Sequence, residues 1–140
     1  MGRVVLTLVS RDANLSHVQV LATSPSFSAI TSFHCENKIL AEFGAKIKRF
    51  PKAAAERVEY IIGAGKGKAE FNFKTVDGAG QCELWVRLNG FEEDRGKIAE
   101  AHFPIDYLEP DSISAFAAEL VKMSTGSAQF AELKNRFEKK

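Results

Sequence analysis

The chain is 140 residues long, with 45% apolar and 26% charged residues. That composition excludes a disordered chain and suits one domain, 1–140, around one sizeable core. A net charge of +1 gives no whole-protein attraction to nucleic acid, and the apolar runs are too short to cross a membrane.

The charge is unevenly placed. Gly44 to Lys74 carries eight Lys/Arg against three Glu, and Phe91 to Asp111 carries seven Asp/Glu against two Lys/Arg. Either the two stretches form a dipolar surface that steers a charged partner, or they lie close enough to neutralise each other. Cys35 and Cys82 have the spacing of neither a disulfide framework nor a zinc site. Met1-Gly2-Arg3 leads straight into a strand pattern without an apolar signal region. A reducing cytoplasm is the expected compartment, and no cofactor or metal is expected.

Val4, Leu6 and Leu8 alternate with Val5, Thr7 and Val9, which predicts a first strand buried on both faces. Arg11-Asp12-Ala13-Asn14 reads as a turn, Val18, Val20 and Ala22 as a second strand, and Ser24-Pro25-Ser26 as a break. Phe27, Ala29, Thr31, Phe33 and Cys35 then lie at period two, so the first three strands read as an antiparallel meander. Ile39, Leu40, Phe43, Ile47 and Phe50 share one helical face, which predicts a helix over 38–50 with Asn37 as its cap and Pro51 as its stop.

Arg57 to Ile62 reads as a strand, and Gly63 to Gly67 as a loop. Ala69, Phe71, Phe73 and Thr75 pair across Asp77-Gly78-Ala79-Gly80 with Cys82, Leu84, Val86 and Leu88, the clearest hairpin in the chain. An acidic loop over Gly90 to Gly96 leads to a last strand, Ala99 to Ile105, in which Pro104 demands an edge, a bulge or an end. Asp111 or Ser112 caps a helix over 111–124 that Thr125-Gly126 terminates. Phe130, Leu133 and Phe137 predict a final helix over 127–138, within a C-terminal extension at 127–140.

Gly63-Ala64-Gly65-Lys66-Gly67-Lys68 resembles a phosphate loop only superficially. Its spacing is wrong, no Ser/Thr follows the lysine, and a strand pattern comes next. His34 and Cys35 are neighbours on a strand, so their side chains point to opposite faces and cannot form a nucleophile–base pair. Phe71 and Phe73 are separated in the same way from Lys68 and Lys74, which argues against base stacking on a basic face. Two faces remain. Trp85 and Arg87 lie opposite the Cys82–Leu88 inner face and have hot-spot composition, unless a helix or loop covers them. With Glu92, Glu93 and Asp94 they form the candidate partner-binding residues. Glu100, His102 and Asp106 share a face of the last strand, where carboxylates beside an imidazole could serve ligand binding or acid–base hydrolysis. The pattern supplies no further nucleophile or oxyanion donor.

The order of features from Ile39 to Met123 carries a resemblance. An Ile-Leu-Ala-Glu-Phe helix ends in Arg49-Phe50-Pro51 and leads to a Val58-to-Gly63 strand. Phe71-Asn72-Phe73, Asp77-Gly78-Ala79-Gly80, Leu84-Trp85-Val86 and Ala101-His102-Phe103-Pro104-Ile105 follow, before Ser112-Ile113-Ser114-Ala115-Phe116-Ala117-Ala118-Glu119-Leu120. This order resembles a group of small bacterial proteins that is similar in layout to the WapI-type immunity proteins of polymorphic toxin systems. The matching residues are structural, so no functional residue carries over. The resemblance implies a bacterial cytoplasmic protein that binds and neutralises a cognate toxin.

The expected architecture is α+β: one antiparallel sheet of about six or seven strands, one helix inserted mid-chain and one or two C-terminal helices. The expected function is a non-enzymatic protein-binding domain with a protein partner and no nucleic acid. The alternatives are a small-ligand-binding or hydrolytic domain and a structural subunit of a larger assembly.

Overall fold

The computed structural model describes residues 2–52, 56–64, 67–76, 81–92 and 96–135. In chain order the elements are β1 (Arg3–Arg11), β2 (Leu15–Thr23), β3 (Ser28–Glu36), α1 (Asn37–Ile47), β4 (Arg57–Ala64), β5 (Gly67–Thr75), β6 (Cys82–Glu92), β7 (Lys97–Leu108), α2 (Pro110–Ser124) and β8 (Phe130–Lys134).

The α+β class and the antiparallel pairing agree with expectation, but the strands form two sheets of four instead of one sheet of six or seven. Their orders are β3-β2-β1-β8 and β4-β5-β6-β7. The reason lies in α1, whose apolar stripe of Leu40, Phe43 and Ile47 needs a surface to bury against. Placed between β3 and β4, it ends the first meander and starts a second. The apolar faces of both sheets then join the helices in one core cluster. Val4, Leu6, Val18, Val20, Phe33 and Leu133 come from the first sheet, and Phe71, Phe73, Leu84, Val86, Phe103 and Ile105 from the second.

The second correction concerns the final helix, which does not form over 130–134. That segment is β8, antiparallel to β1 from Arg3↔Lys134 to Thr7↔Phe130. Its residues satisfy two periods at once. Phe130 and Leu133 fit a helical face, but Ala131 and Leu133 also fit period two, and these two are the ones buried. The unpaired edge of β1 decides the matter, because a strand there completes a ladder of hydrogen bonds. Glu119 of α2 reinforces this choice by accepting from Glu132 N at 3.0 Å. Phe137 lies outside the described residues.

α2 stops where expected, and the stop redirects the chain into β8. Gly126 has φ +81°, and Gly126 N donates to Met123 O while Ser127 N donates to Lys122 O, at 3.0 and 2.9 Å. This is the Schellman pattern that satisfies the last carbonyls of a helix. At the other end Pro110 opens the helix, and Ser112 N and Ile113 N donate to the main-chain oxygen of Glu109, so neither Asp111 nor Ser112 is the cap. The helices cross closely at Gly44, where a Cβ would come within 2.6 Å of Ala117 O.

Three smaller expectations also change. The outer face of β1 is not buried, since Val9 is 52% exposed. Phe27 precedes β3 and lies 62% exposed, its ring stacked 5.9 Å from Phe103. Asn37 is the first residue of α1 and turns its side chain toward the β1–β2 turn instead of capping the helix. Ser16 Oγ donates to Asn37 Oδ1 at 2.5 Å, and Asn37 Nδ2 donates to Asp12 O and Ala13 O at 3.1 and 3.2 Å. Pro104 behaves as read, because β7 is an edge strand.

Asn37 therefore joins α1 to the β1–β2 turn through buried polar contacts. Replacing it with Ala strands the Ser16 hydroxyl and two turn carbonyls. Asn37→Ala is expected to cost about 2 kcal/mol of unfolding free energy, read by urea denaturation. A loss below about 0.5 kcal/mol would show that the contacts are dispensable.

Candidate functional site

In the second sheet period-two alternation separates an apolar face from a polar one. Phe71, Phe73, Leu84 and Val86 turn inward, where α1 meets them: Phe43 lies 4.9 Å from Phe71 and 6.5 Å from Phe73 between ring centroids. The intervening residues turn outward, and the register arranges them in rows. Asn72 is opposed by Glu59 on one side and Trp85 on the other, and Trp85 is opposed by Pro104. The next row runs Ile61, Glu70, Arg87, His102, and the row on the other side begins Arg57, Lys74, Glu83.

These rows form a shallow cup of about 340 Å³ lined by Arg57, Glu59, Glu70, Asn72, Lys74, Trp85, Arg87 and His102. Its centre is Trp85, partly buried by its neighbours on the sheet. The indole Nε1 donates to Glu83 Oε2 at 2.7 Å. Lys74 Nζ lies 5.9 Å from the indole ring and 3.5 Å from Glu83 Oε2. The His102 ring meets the indole edge-on, 5.2 Å between centroids. Indole, imidazole and ammonium thus hold one another in place without closing the cup.

Sequence reasoning treats the Trp85 face and the His102 face as rivals, and the register makes them one surface. Arg87 Nη2 lies 3.3 Å from His102 Nδ1, and Arg87 Nε lies 3.3 Å from Glu100 Oε2. That second contact is an ion pair lacking hydrogen-bond geometry, since Arg87 Nε has no hydrogen-bond acceptor. Glu100 sits beside the cup and not in its lining. Asp106 is not brought to His102. The register shifts between Cys82 and Leu84, so Asp106 and Tyr107 form a bulge, and Tyr107 adopts φ 61°. Glu92 pairs with Lys97 at the end of the β6–β7 ladder, while Glu93 and Asp94 lie outside the described residues. The residues sequence reasoning missed are Arg57, Glu59, Glu70, Asn72 and Lys74. All sit at outward positions of strands it recognised, and the pairing register is the signal that would have gathered them.

Part of each charge stretch lies in the second sheet, the basic one on β4 and β5 and the acidic one on β7, with β6 between them. β6 answers both, because Glu83 pairs with Lys74 of the basic stretch and Arg87 with Glu100 of the acidic one. Such partly exposed pairs contribute only about 0–1 kcal/mol each. Their role here is to order the rim.

Nothing at this face supplies a thiolate. Neither cysteine is in a disulfide and both are buried, and Cys35 sits on the inner face of β3 with its thiol pushed up to about 11, by burial first and by Glu36 second. Among the described residues no group of three or more His, Cys, Asp and Glu could hold a metal ion, and no helix is long and apolar enough to cross a membrane. No protein-family model, curated protein or solved structure matches the chain.

The raised Cys35 value has a consequence for stability. A thiol kept protonated by folding stabilises the folded chain fully below its ordinary value of 9.0, and that contribution is lost as pH rises toward about 11. Tyr60, raised by burial and by Glu42, acts in the same sense. Unfolding free energy measured from pH 8 to 11 is expected to fall, and to fall less steeply in Cys35→Ala. Equal slopes would remove Cys35 from the account.

Proposed function

We propose that this domain binds a protein partner without turnover, and that the cup around Trp85 is the centre of the contact. The observation that carries the reading is a partly buried tryptophan on an outward sheet face, flanked by Arg87 and Lys74, while α1 packs on the opposite face. Tryptophan and arginine in a preformed, partly desolvated setting are the residues that dominate binding energies at protein interfaces. Mutual contacts among Trp85, His102, Lys74 and Glu83 reduce the ordering cost of association. The mixed charges of the rim favour a partner whose surface is itself polar and of both signs.

The resemblance of the sequence to WapI-type immunity proteins extends the proposal to the partner's kind: a bacterial toxin domain held inactive in a cytoplasmic complex. A second reading has its own observation. The face is concave and brings His102 and Arg87 against an aromatic floor, so the cup also suits a small polar ligand that stacks on the indole.

Capture of proteins from the native host on the tagged chain, with Trp85→Ala and Arg87→Glu alongside, separates these readings. One stoichiometric partner is expected, with Trp85→Ala weakening it by about 2 kcal/mol or more while circular dichroism stays unchanged. Retention of that partner by both variants would move the interface elsewhere. Absence of any protein, with a small molecule retained by the wild type alone, would favour the ligand reading.

A further inference from the structure

Two imidazoles meet on the solvent face of the first sheet, away from the cup. His17 of β2 and His34 of β3 are direct partners in the antiparallel register, and their rings stack 4.5 Å apart with planes 14° from parallel. Asn37 N donates to Asn14 O at one end of this ladder, and Ser24 N donates to Phe27 O at the other. Even-numbered residues of β2 and odd-numbered residues of β3 therefore form the hydrogen-bonded pairs. His17 and His34 belong to the alternate set, in which Cα atoms approach to about 4.5 Å and side chains are closest.

Neither imidazole is committed to another group. No hydrogen bond engages the ring nitrogens of either residue among the described residues. His34 is exposed and His17 partly so, which leaves the rings free to turn about their side-chain torsions. The nearby charge is mixed, with Asp12 and Glu36 set against Arg11 and Lys38. Asp12, in the β1–β2 turn, has its carboxyl held below the usual range first by the amides of Leu15 and Asn14, then by Arg11, with His34 contributing last. Glu36 follows His34 on the same face of β3, in an exposed ion pair with Lys38 at 3.7 Å.

We propose that His17 and His34 form a two-imidazole binding site for a borderline divalent transition cation such as Zn²⁺, one that braces β2 to β3. Neutral imidazole is a preferred ligand of this class of cation. Zn–N bonds of about 2.0–2.1 Å at a tetrahedral angle require donor nitrogens about 3.3 Å apart. Stacked rings 4.5 Å apart aim their in-plane lone pairs side by side, so binding requires both side chains to turn about their torsions toward one ion, which the close approach of a non-hydrogen-bonded pair brings within reach. Water completes the coordination, and the Asp12 carboxylate adds favourable charge close by. A cation held between two strands binds the folded chain and not the unfolded one, so it raises stability by linkage.

Titration of Zn²⁺ into the full chain by calorimetry, with thermal melts in parallel, tests the site. Saturable binding of one ion per chain is expected, with affinity at least about tenfold weaker in His17→Gln and in His34→Gln and unchanged in His102→Gln. Zn²⁺ should raise the melting temperature of the wild type and of His102→Gln, but of neither strand variant. Both substituted side chains face solvent, and circular dichroism checks that the variants fold. Zn²⁺-induced shifts of the imidazole proton resonances in the wild type give a readout independent of the variants. Absence of saturable binding, binding that survives both substitutions, or imidazole shifts confined to His102 would each overturn the proposal.

Discussion

Phe43 stands where both helices and the second sheet meet. Its ring lies 4.8 Å from Tyr60 and 4.9 Å from Phe71, and meets Phe116 of α2 edge-on at 6.1 Å. Burying this fully enclosed ring fixes α1 against the inner face of β4 and β5. Phe116 brings in α2, and the Gly44 crossing lets the two helices approach closely enough for that contact. α2 in turn delivers the chain through Gly126 to β8, which closes the free edge of β1. Most of the architecture follows from where this ring is placed.

The same constraint bears on the candidate site. Because α1 occupies the inner face of the second sheet, the outer face keeps its polar row ends and its tryptophan toward solvent. The cup is a product of strand alternation and twist, carried on β4 to β7 of an antiparallel sheet. Its side chains are held by contacts across strands, such as Trp85 with His102 and Arg87 with Glu100. A site built on strands is positioned more tightly than one on loops, and that favours recognition over induced fit.

Part of the site was legible in the chain. Trp85 and Arg87 are two residues apart in a strand, so their shared face follows from period two alone. Glu100 and His102 follow in the same way. Their union does not, because Arg87 meets His102 only through the β6–β7 register, and the period-two pattern of one strand does not say which residue of its neighbour stands opposite. Asp106 shows the limit from the other side. Its spacing places it with His102, but the bulge opposite Glu83 separates it from the cup. The helix or loop expected as one way of covering Trp85 is replaced by the open cup, since both helices were needed inside.

By itself the sequence determined the local periods: the alternation of β5 and β6, the stripes of α1 and α2, and the stop at Thr125-Gly126. These depend on residues close together in the chain, whose side-chain directions and backbone limits act whatever surrounds them. Only the tertiary structure decided that the strands divide into two sheets, that 130–134 is a strand, and that two polar faces form one cup. Each of those outcomes depends on which unpaired edge or apolar face is free to receive a segment. That is a property of the assembled neighbours, and a segment such as Phe130–Lys134, compatible with either period, takes the conformation that its available partner completes.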